Sequence, residues 1–318
     1  AQSLGLWPWL RRFGTSTRYI LLAPFAALVF LMIALNSMLR VLTGRPSVWK
    51  GRSYRALAKK RVRYRLPRRW IMDMGRALLF KTPRSIIDDS ALAVNALPRP
   101  PVIMGVGHIP VEGSFVLVAN HYQRLDLWIG WSGALLIDTI ARRQNVSMHF
   151  ITTDRARVGS FTVPGTRWII ERVAAVWDLI LVTPPAIAHE HIEKQRYALL
   201  RLLRLLKRSS GQAICIALMP EGDEGGTSGL IEALPGTGRA LHALSKLGLP
   251  LVPAGVWEED GQLHACFGPS FSLAAVPSGG SSEAFDMWAR NTVMCHIAAV
   301  LPPALRGKYG GMQHGTLE

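Results

Sequence analysis

Short uninterrupted apolar runs and longer amphipathic stretches alternate along the C-terminal two thirds of the chain. Ser114 to Ala119 (SFVLVA), Met148 to Thr152, Ala213 to Leu218 and Leu251 to Val256 predict buried strands. Glu190 to Lys207 sets Leu199, Leu200, Leu202, Leu203, Leu205 and Leu206 among Arg196, Arg201, Arg204 and Lys207, which predicts a helix. Arg239 to Leu247 follows a glycine-rich turn and predicts another. Strands that alternate with helices imply an α/β fold, a mostly parallel sheet flanked by helices. Pro98, Pro100, Pro101 and Pro110 punctuate the entry to this body, so the expected division is an N-terminal region over 1–95 and a catalytic-sized domain over 96–318.

The N-terminal region reads differently. Between Arg18 and Arg40 lie 21 uncharged residues, Tyr19 to Leu39. As a helix they would reach roughly 30 Å, the depth of a bilayer's hydrocarbon core. A membrane anchor is expected, spanning or re-entrant, with a buried core helix as the other reading. Ser37-Met38-Leu39-Arg40 supplies no small-residue cleavage site, which argues against a signal peptide.

Charge sharpens that picture. The net charge of +16 is concentrated in residues 1 to 72, which hold 15 of the 37 Lys and Arg and no Asp or Glu; the rest, with 22 basic and 21 acidic residues, is near neutral. Twelve cations occupy 40 to 69, against Arg11, Arg12 and Arg18 before the apolar run. The body is therefore expected on the cytoplasmic face of the inner (plasma) membrane. The interleaved Trp49, Tyr54, Tyr64 and Trp70 suit a juxtamembrane segment on anionic headgroups better than a nucleic-acid patch, so lipids and not nucleic acid are the expected partners. Three scattered cysteines, Cys215, Cys266 and Cys295, provide neither a disulfide framework nor metal-ligand spacing. His189-Glu190-His191-Ile192-Glu193 lacks His-Glu-x-x-His spacing, and no metal or other cofactor is expected.

Two constellations stand directly after expected strands. Asn120-His121-Tyr122-Gln123-Arg124-Leu125-Asp126 follows the first. With His121 in a strand-to-helix turn and Asp126 in the first helical turn, the carboxylate would accept the proton of one imidazole nitrogen and leave the other as a base. There is no Gly-x-Ser-x-Gly elbow, so the base would act on a substrate hydroxyl. Met219-Pro220-Glu221-Gly222 follows the third strand, a place where Glu221 would position a polar substrate and the Gly222 N–H would face developing negative charge. Cys215 inside that strand reads as a small hydrophobe.

Asn-His-x4-Asp, then Pro-Glu-Gly about 100 residues on, then Leu251-Val252-Pro253-Ala254-Gly255-Val256, resembles the glycerolipid acyltransferase family, which includes the 1-acylglycerol-3-phosphate acyltransferases. The likeness runs from roughly Pro101 to Ser272. It implies His121 and Asp126 as the catalytic pair and Glu221 and Gly222 as an acceptor-binding block, with Asn120, Arg157 and Arg239 as further substrate-binding candidates. Acyl-CoA or acyl-carrier protein is the implied donor. Gly236-Thr237-Gly238-Arg239 resembles the family's following turn of a basic residue with Gly, and Phe267-Gly268-Pro269 resembles a closing strand end.

The chain also departs from that pattern. Asp223 and Glu224 stand where the family usually has Thr-Arg, and Leu179 to Pro185 (LILVTPP) lacks an expected Asp-Arg. An acid repels a phosphate dianion, and a missing Arg forfeits a bidentate fork. The expected activity is therefore transfer of a fatty acyl chain from a thioester to a lipid hydroxyl without selectivity for a phosphate monoester. A lysophosphatidic acid acyltransferase is the alternative, with Arg155, Arg157, Arg172 or Arg239 available to hold phosphate. A non-catalytic membrane-surface protein on the same scaffold is the reading from another class.

Overall fold

The computed structural model describes residues 64–123, 127–154, 166–182, 211–222, 229–273 and 281–311. It also describes the backbone of 47–49, 52–54, 157–158 and 161–162 and eight isolated residues, Phe25, Leu28, Val29, Met32, Ile33, Asn36, Leu202 and Arg204. The chain divides into two compact units, 1–61 and 62–318. In the first, β1 (Ser47–Trp49) pairs antiparallel with β2 (Arg52–Tyr54), and the residues described between 25 and 36 are helical. Most of Tyr19 to Leu39 lies outside the described residues. Among those described, no helix is long and apolar enough to cross a membrane.

The second unit is a mixed α/β body around one seven-stranded sheet. In chain order its elements are α1 (Arg68–Phe80), α2 (Ile86–Asn95), β3 (Val102–Met104), β4 (Phe115–Ala119), α3 (Ile129–Arg143), β5 (Val146–Thr153) and a small hairpin of β6 (Arg157–Val158) with β7 (Phe161–Thr162). Then follow α4 (Thr166–Trp177), β8 (Ile180–Val182), β9 (Ala213–Leu218), α5 (Thr237–Lys246), β10 (Leu251–Glu259), β11 (Gln262–Phe267) and α6 (Ser282–Ala299). The sheet order is β3-β11-β10-β4-β9-β5-β8. From β10 to β8 neighbouring strands are parallel, whereas β11 turns back antiparallel on β10 and pairs in parallel with β3. The mostly parallel sheet expected from the sequence is the one observed.

Physical reasons for these elements are local. The central strands β4, β9 and β10 are buried on both faces, which is why they read as continuous apolar runs and not as alternation. Phe115, Leu117, Ile216 and Leu251 are fully buried at the centre of the core. The Ser85 hydroxyl caps α2 by accepting from the Asp88 N–H at 3.1 Å, with Asp88 and Asp89 at the positive end of the helix dipole. The helices pack as pairs, α2 on α3 and α5 on α6, and α6 also packs on β4 and β10.

The expected helix over Arg239 to Leu247 is α5. That over Glu190 to Lys207 lies largely outside the described residues, where Leu202 is buried and Arg204 exposed. Residues 95 and 96 both lie within the second unit, where Ser90 and Ala93 of α2 are buried.

Candidate active site

β4 lies between β10 and β9, and the two constellations named from sequence sit where β4 and β9 end. The β4–β10 ladder runs to Ala119 opposite Ala254. One residue later Asn120 takes over. Its Nδ2 donates to the Val256 carbonyl at 2.9 Å and its Oδ1 accepts from the Val256 N–H at 2.7 Å, so the side-chain amide adds one more rung with both of its polar ends engaged. Asn120 was expected to bind substrate; the structure spends its amide on β10, which fixes the path of the chain into His121.

His121 is held next. Its backbone N–H donates to Glu221 Oε2 at 2.7 Å, while Glu221 Oε1 accepts from the Ile231 N–H at 2.9 Å. Glu221 is 2% exposed. Burial pushes its carboxyl above the usual carboxylate range, with the Ile231 and His121 N–H bonds pulling the other way. The carboxylate was expected to meet the acceptor; it ties the loop after β9 and the turn after β4 into one frame. Gly222 makes the turn at φ +65°, and a Cβ there would meet Leu234 Cδ1 at 2.5 Å. Its N–H donates to the Met219 carbonyl at 3.1 Å, so the oxyanion role expected of that group is already occupied by an internal bond.

His121 is mostly buried and lines a cavity of about 580 Å³. The lining is overwhelmingly apolar, with Trp131, Ile137, Val173 and Leu218 among its walls, and it also takes in Gly222 and Thr237. Gly130 and Gly133, one turn apart on α3, also line it. A Cβ built at Gly133 meets no atom within 4 Å, so this glycine keeps part of the cavity open. Asp89, which also lines the cavity, is buried but satisfied: it pairs with Arg84 through two hydrogen bonds, one at 2.9 Å from Nε, and accepts from Trp177 Nε1 at 2.8 Å. The volume lies in the ordinary range for an organic ligand, and the lining suits a hydrocarbon chain.

The remaining candidates separate. Asp126, Asp223, Glu224, Arg155 and the His189 to Glu193 run lie outside the described residues, and of Arg157 only the backbone, paired with Thr162, is described. Arg239 does not line the cavity; its N–H donates to Asp286 Oδ1 at 3.0 Å and its Nη1 to the Ser282 hydroxyl at 3.2 Å. Asp286 also accepts from the Gly236 N–H at 2.8 Å, so the Gly236-Thr237-Gly238-Arg239 turn is explained as the capped start of α5 against α6. Arg172 Nη1 donates to the carbonyls of Leu78 and Leu79, each at 2.7 Å. Cys215 is fully buried in β9, and burial pushes its thiol up, so it stays protonated.

The cavity itself, and the α2 and α3 residues around it, escaped the sequence reading. The available signal was Trp128-Ile129-Gly130-Trp131-Ser132-Gly133, two glycines at helical spacing within an aromatic helix start.

No protein-family model and no curated protein matches this chain. Among solved structures it is similar to the crystal structure of the 1-acyl-sn-glycerophosphate (LPA) acyltransferase PlsC from Thermotoga maritima. The two share 16% identity at a TM-score of 0.38, over 70% of this chain and 86% of that one.

Proposed function

We propose that the chain is a membrane-associated O-acyltransferase. It moves a fatty acyl group from a thioester, carried by coenzyme A or an acyl-carrier protein, to a hydroxyl of a lipid acceptor at the cytoplasmic face of the inner membrane. The observation that supports this reading is the placement of His121, whose backbone is pinned by Glu221 and preceded by the Asn120 rung, on the wall of a 580 Å³ apolar cavity. The motif resemblance supplies the reaction class. In the proposed reaction His121 takes the proton of the acceptor hydroxyl as that oxygen attacks the thioester carbonyl. The tetrahedral intermediate collapses, the C–S bond breaks, and the thiolate leaves with the proton returned by His121. Asp126 is assigned to fix the imidazole tautomer, and the acyl chain to the apolar cavity.

The direct test is thiol release from acyl-CoA by the purified full chain, with and without lysoglycerolipid acceptors. Acceptor-independent release alone, or none at all, would remove the reading. Chain-length preference tests the cavity assignment. Gly133→Phe is expected to shift the preference toward shorter acyl chains, since each buried methylene contributes about 0.8 kcal/mol. Losing room for two should cost the longest accepted chain about ten-fold in kcat/KM. Unchanged length profiles would place the chain elsewhere.

The acceptor is the other testable part. Arg172 and Arg239 are both engaged by protein groups, and Glu224 replaces the family's usual cation. Wild-type protein is expected to prefer a neutral or zwitterionic lysoglycerolipid over lysophosphatidic acid. Glu224→Arg should move the kcat/KM ratio toward lysophosphatidic acid by about five-fold, the effect of roughly 1 kcal/mol from one partly exposed ion pair. A strong wild-type preference for lysophosphatidic acid would promote the alternative acceptor.

A further inference from the structure

The inward side of α1 is fully accounted for. Met74 and Ala77, with Trp70 and Leu78, pack against Val176 and Trp177 of α4. A surface helix with one face so committed ordinarily turns polar residues outward. α1 does not. Ile71, Met72, Leu79 and Phe80 are each more than half exposed, Phe80 at 77%, and α4 adds Trp168 at 57% and Ile169 at 50%.

The exposed end of α1 and the exposed start of α4 adjoin. The Arg172 guanidinium bonds the Leu79 carbonyl and lies 4.8 Å from the centre of the Trp168 ring, which links the exposed end of α1 to the exposed start of α4. Met72 and Leu79 are seven residues apart and so share a helix face. The charges around these side chains are mostly positive: Arg68, Arg69, Arg76 and Lys81 are exposed on or beside α1, against the single acid Asp73, 3.9 Å from Arg69. On α4, Glu171 is already bonded by Arg167 at 2.7 Å.

We propose that α1 and α4 form a docking face for an anionic bilayer surface, built into the 62–318 unit and distinct from the apolar segment Tyr19 to Leu39. A face on which large aliphatic and aromatic side chains stand among arginines matches a leaflet, whose acyl boundary takes the former and whose anionic headgroups pair with the latter. An exposed Trp beside cations is at home at that boundary. The same two helices wall the cavity through Trp70, Ile169 and Val173, so docking there sets the cavity against the source of its lipid.

The test uses the full chain and lipid contact as its readout, independent of any transfer reaction. Met72→Cys, Leu79→Cys and Trp168→Cys, each labelled with an environment-sensitive fluorophore, are bound to vesicles of phosphatidylcholine with phosphatidylglycerol. Leu247→Cys, also more than half exposed, just after α5, serves as comparison. The unsubstituted chain, with Cys215, Cys266 and Cys295 only, sets the labelling background.

Emission at 72, 79 and 168 is expected to shift to the blue, to be quenched by nitroxide on the lipid chains, and to lose its quenching by aqueous iodide. The label at 247 should show none of these changes. Iodide access at 72 and 79 equal to that at 247 would overturn the proposal. So would shielding already complete without vesicles, which would mean that protein covers the face. Equal burial in purely zwitterionic vesicles would overturn the choice of an anionic surface. A chain that inserts these labels yet releases no thiol would sink the proposed function and leave the docking face standing.

Discussion

His121→Ala is expected to lower acyl transfer at least about 10³-fold, the upper range for loss of a positioned general base. The fold should survive. One bond that holds this residue runs from its backbone N–H to Glu221, and alanine keeps that donor. What is removed is an imidazole on the cavity wall, so thiol release from acyl-CoA should fall, and a urea midpoint near that of the parent would assign the loss to chemistry and not to folding. Asp126→Asn should lose less, yet still orders of magnitude, since it disturbs tautomer and orientation without deleting the base. Parent-like rates in His121→Ala would end the proposed mechanism, and a lowered midpoint would show that the side chain holds the fold.

The parts of this structure that sequence revealed are those whose signal is local. β4, β9 and β10 were legible because strands buried on both faces must be apolar at every position, and the observed strands begin or end within a few residues of the runs that predicted them. β3 (VIM) and β8 (ILV) are three residues long, too short to carry a period. β11 (QLHACF) alternates buried and half-buried positions but carries His264 inside it, and only its end at Phe267 was recognised. α6 was hidden by its buried Asp286, which caps α5 and pairs with Arg290, so a charge stands on the helix's core face.

The site divides in the same way. His121 and Glu221 were legible as residue types after strands, but what Asn120, Glu221 and Gly222 do depends on which strands are neighbours. Asn120 bonds Val256 across 136 residues, and Glu221 reaches His121 across 100. Nothing local distinguishes an amide that binds substrate from one that completes a ladder. The cavity depends in turn on small residues of α2 and α3 meeting across some 40 positions of sequence, and small residues leave no periodic mark of the space they preserve.

Glu221 makes this dependence measurable. The carboxylate accepts from two backbone donors, His121 N–H and Ile231 N–H, one on each oxygen. Glu221→Gln preserves shape but offers one acceptor and one donor, so one backbone N–H faces an NH₂ group. An unsatisfied buried donor costs about 1–3 kcal/mol, which a lowered urea midpoint would report. Displacing His121 by about 1 Å is enough to lose about 10²-fold in rate. The loss should fall on kcat, with KM for the acyl thioester nearly unchanged, because the cavity walls are untouched. The pH dependence has a definite sign. Burial raises the Glu221 pKa above its unfolded value, so the native state binds the proton more tightly. That contribution to stability is fully present below the unfolded pKa, about 4.3, and is lost as pH rises through the native value. Glutamine does not titrate. The stability gap between parent and Glu221→Gln should therefore be widest at the acid end of that window and narrow as pH rises through it. A gap that widens with pH, or a variant with parental kcat and stability, would show that the carboxylate does not hold His121 in place.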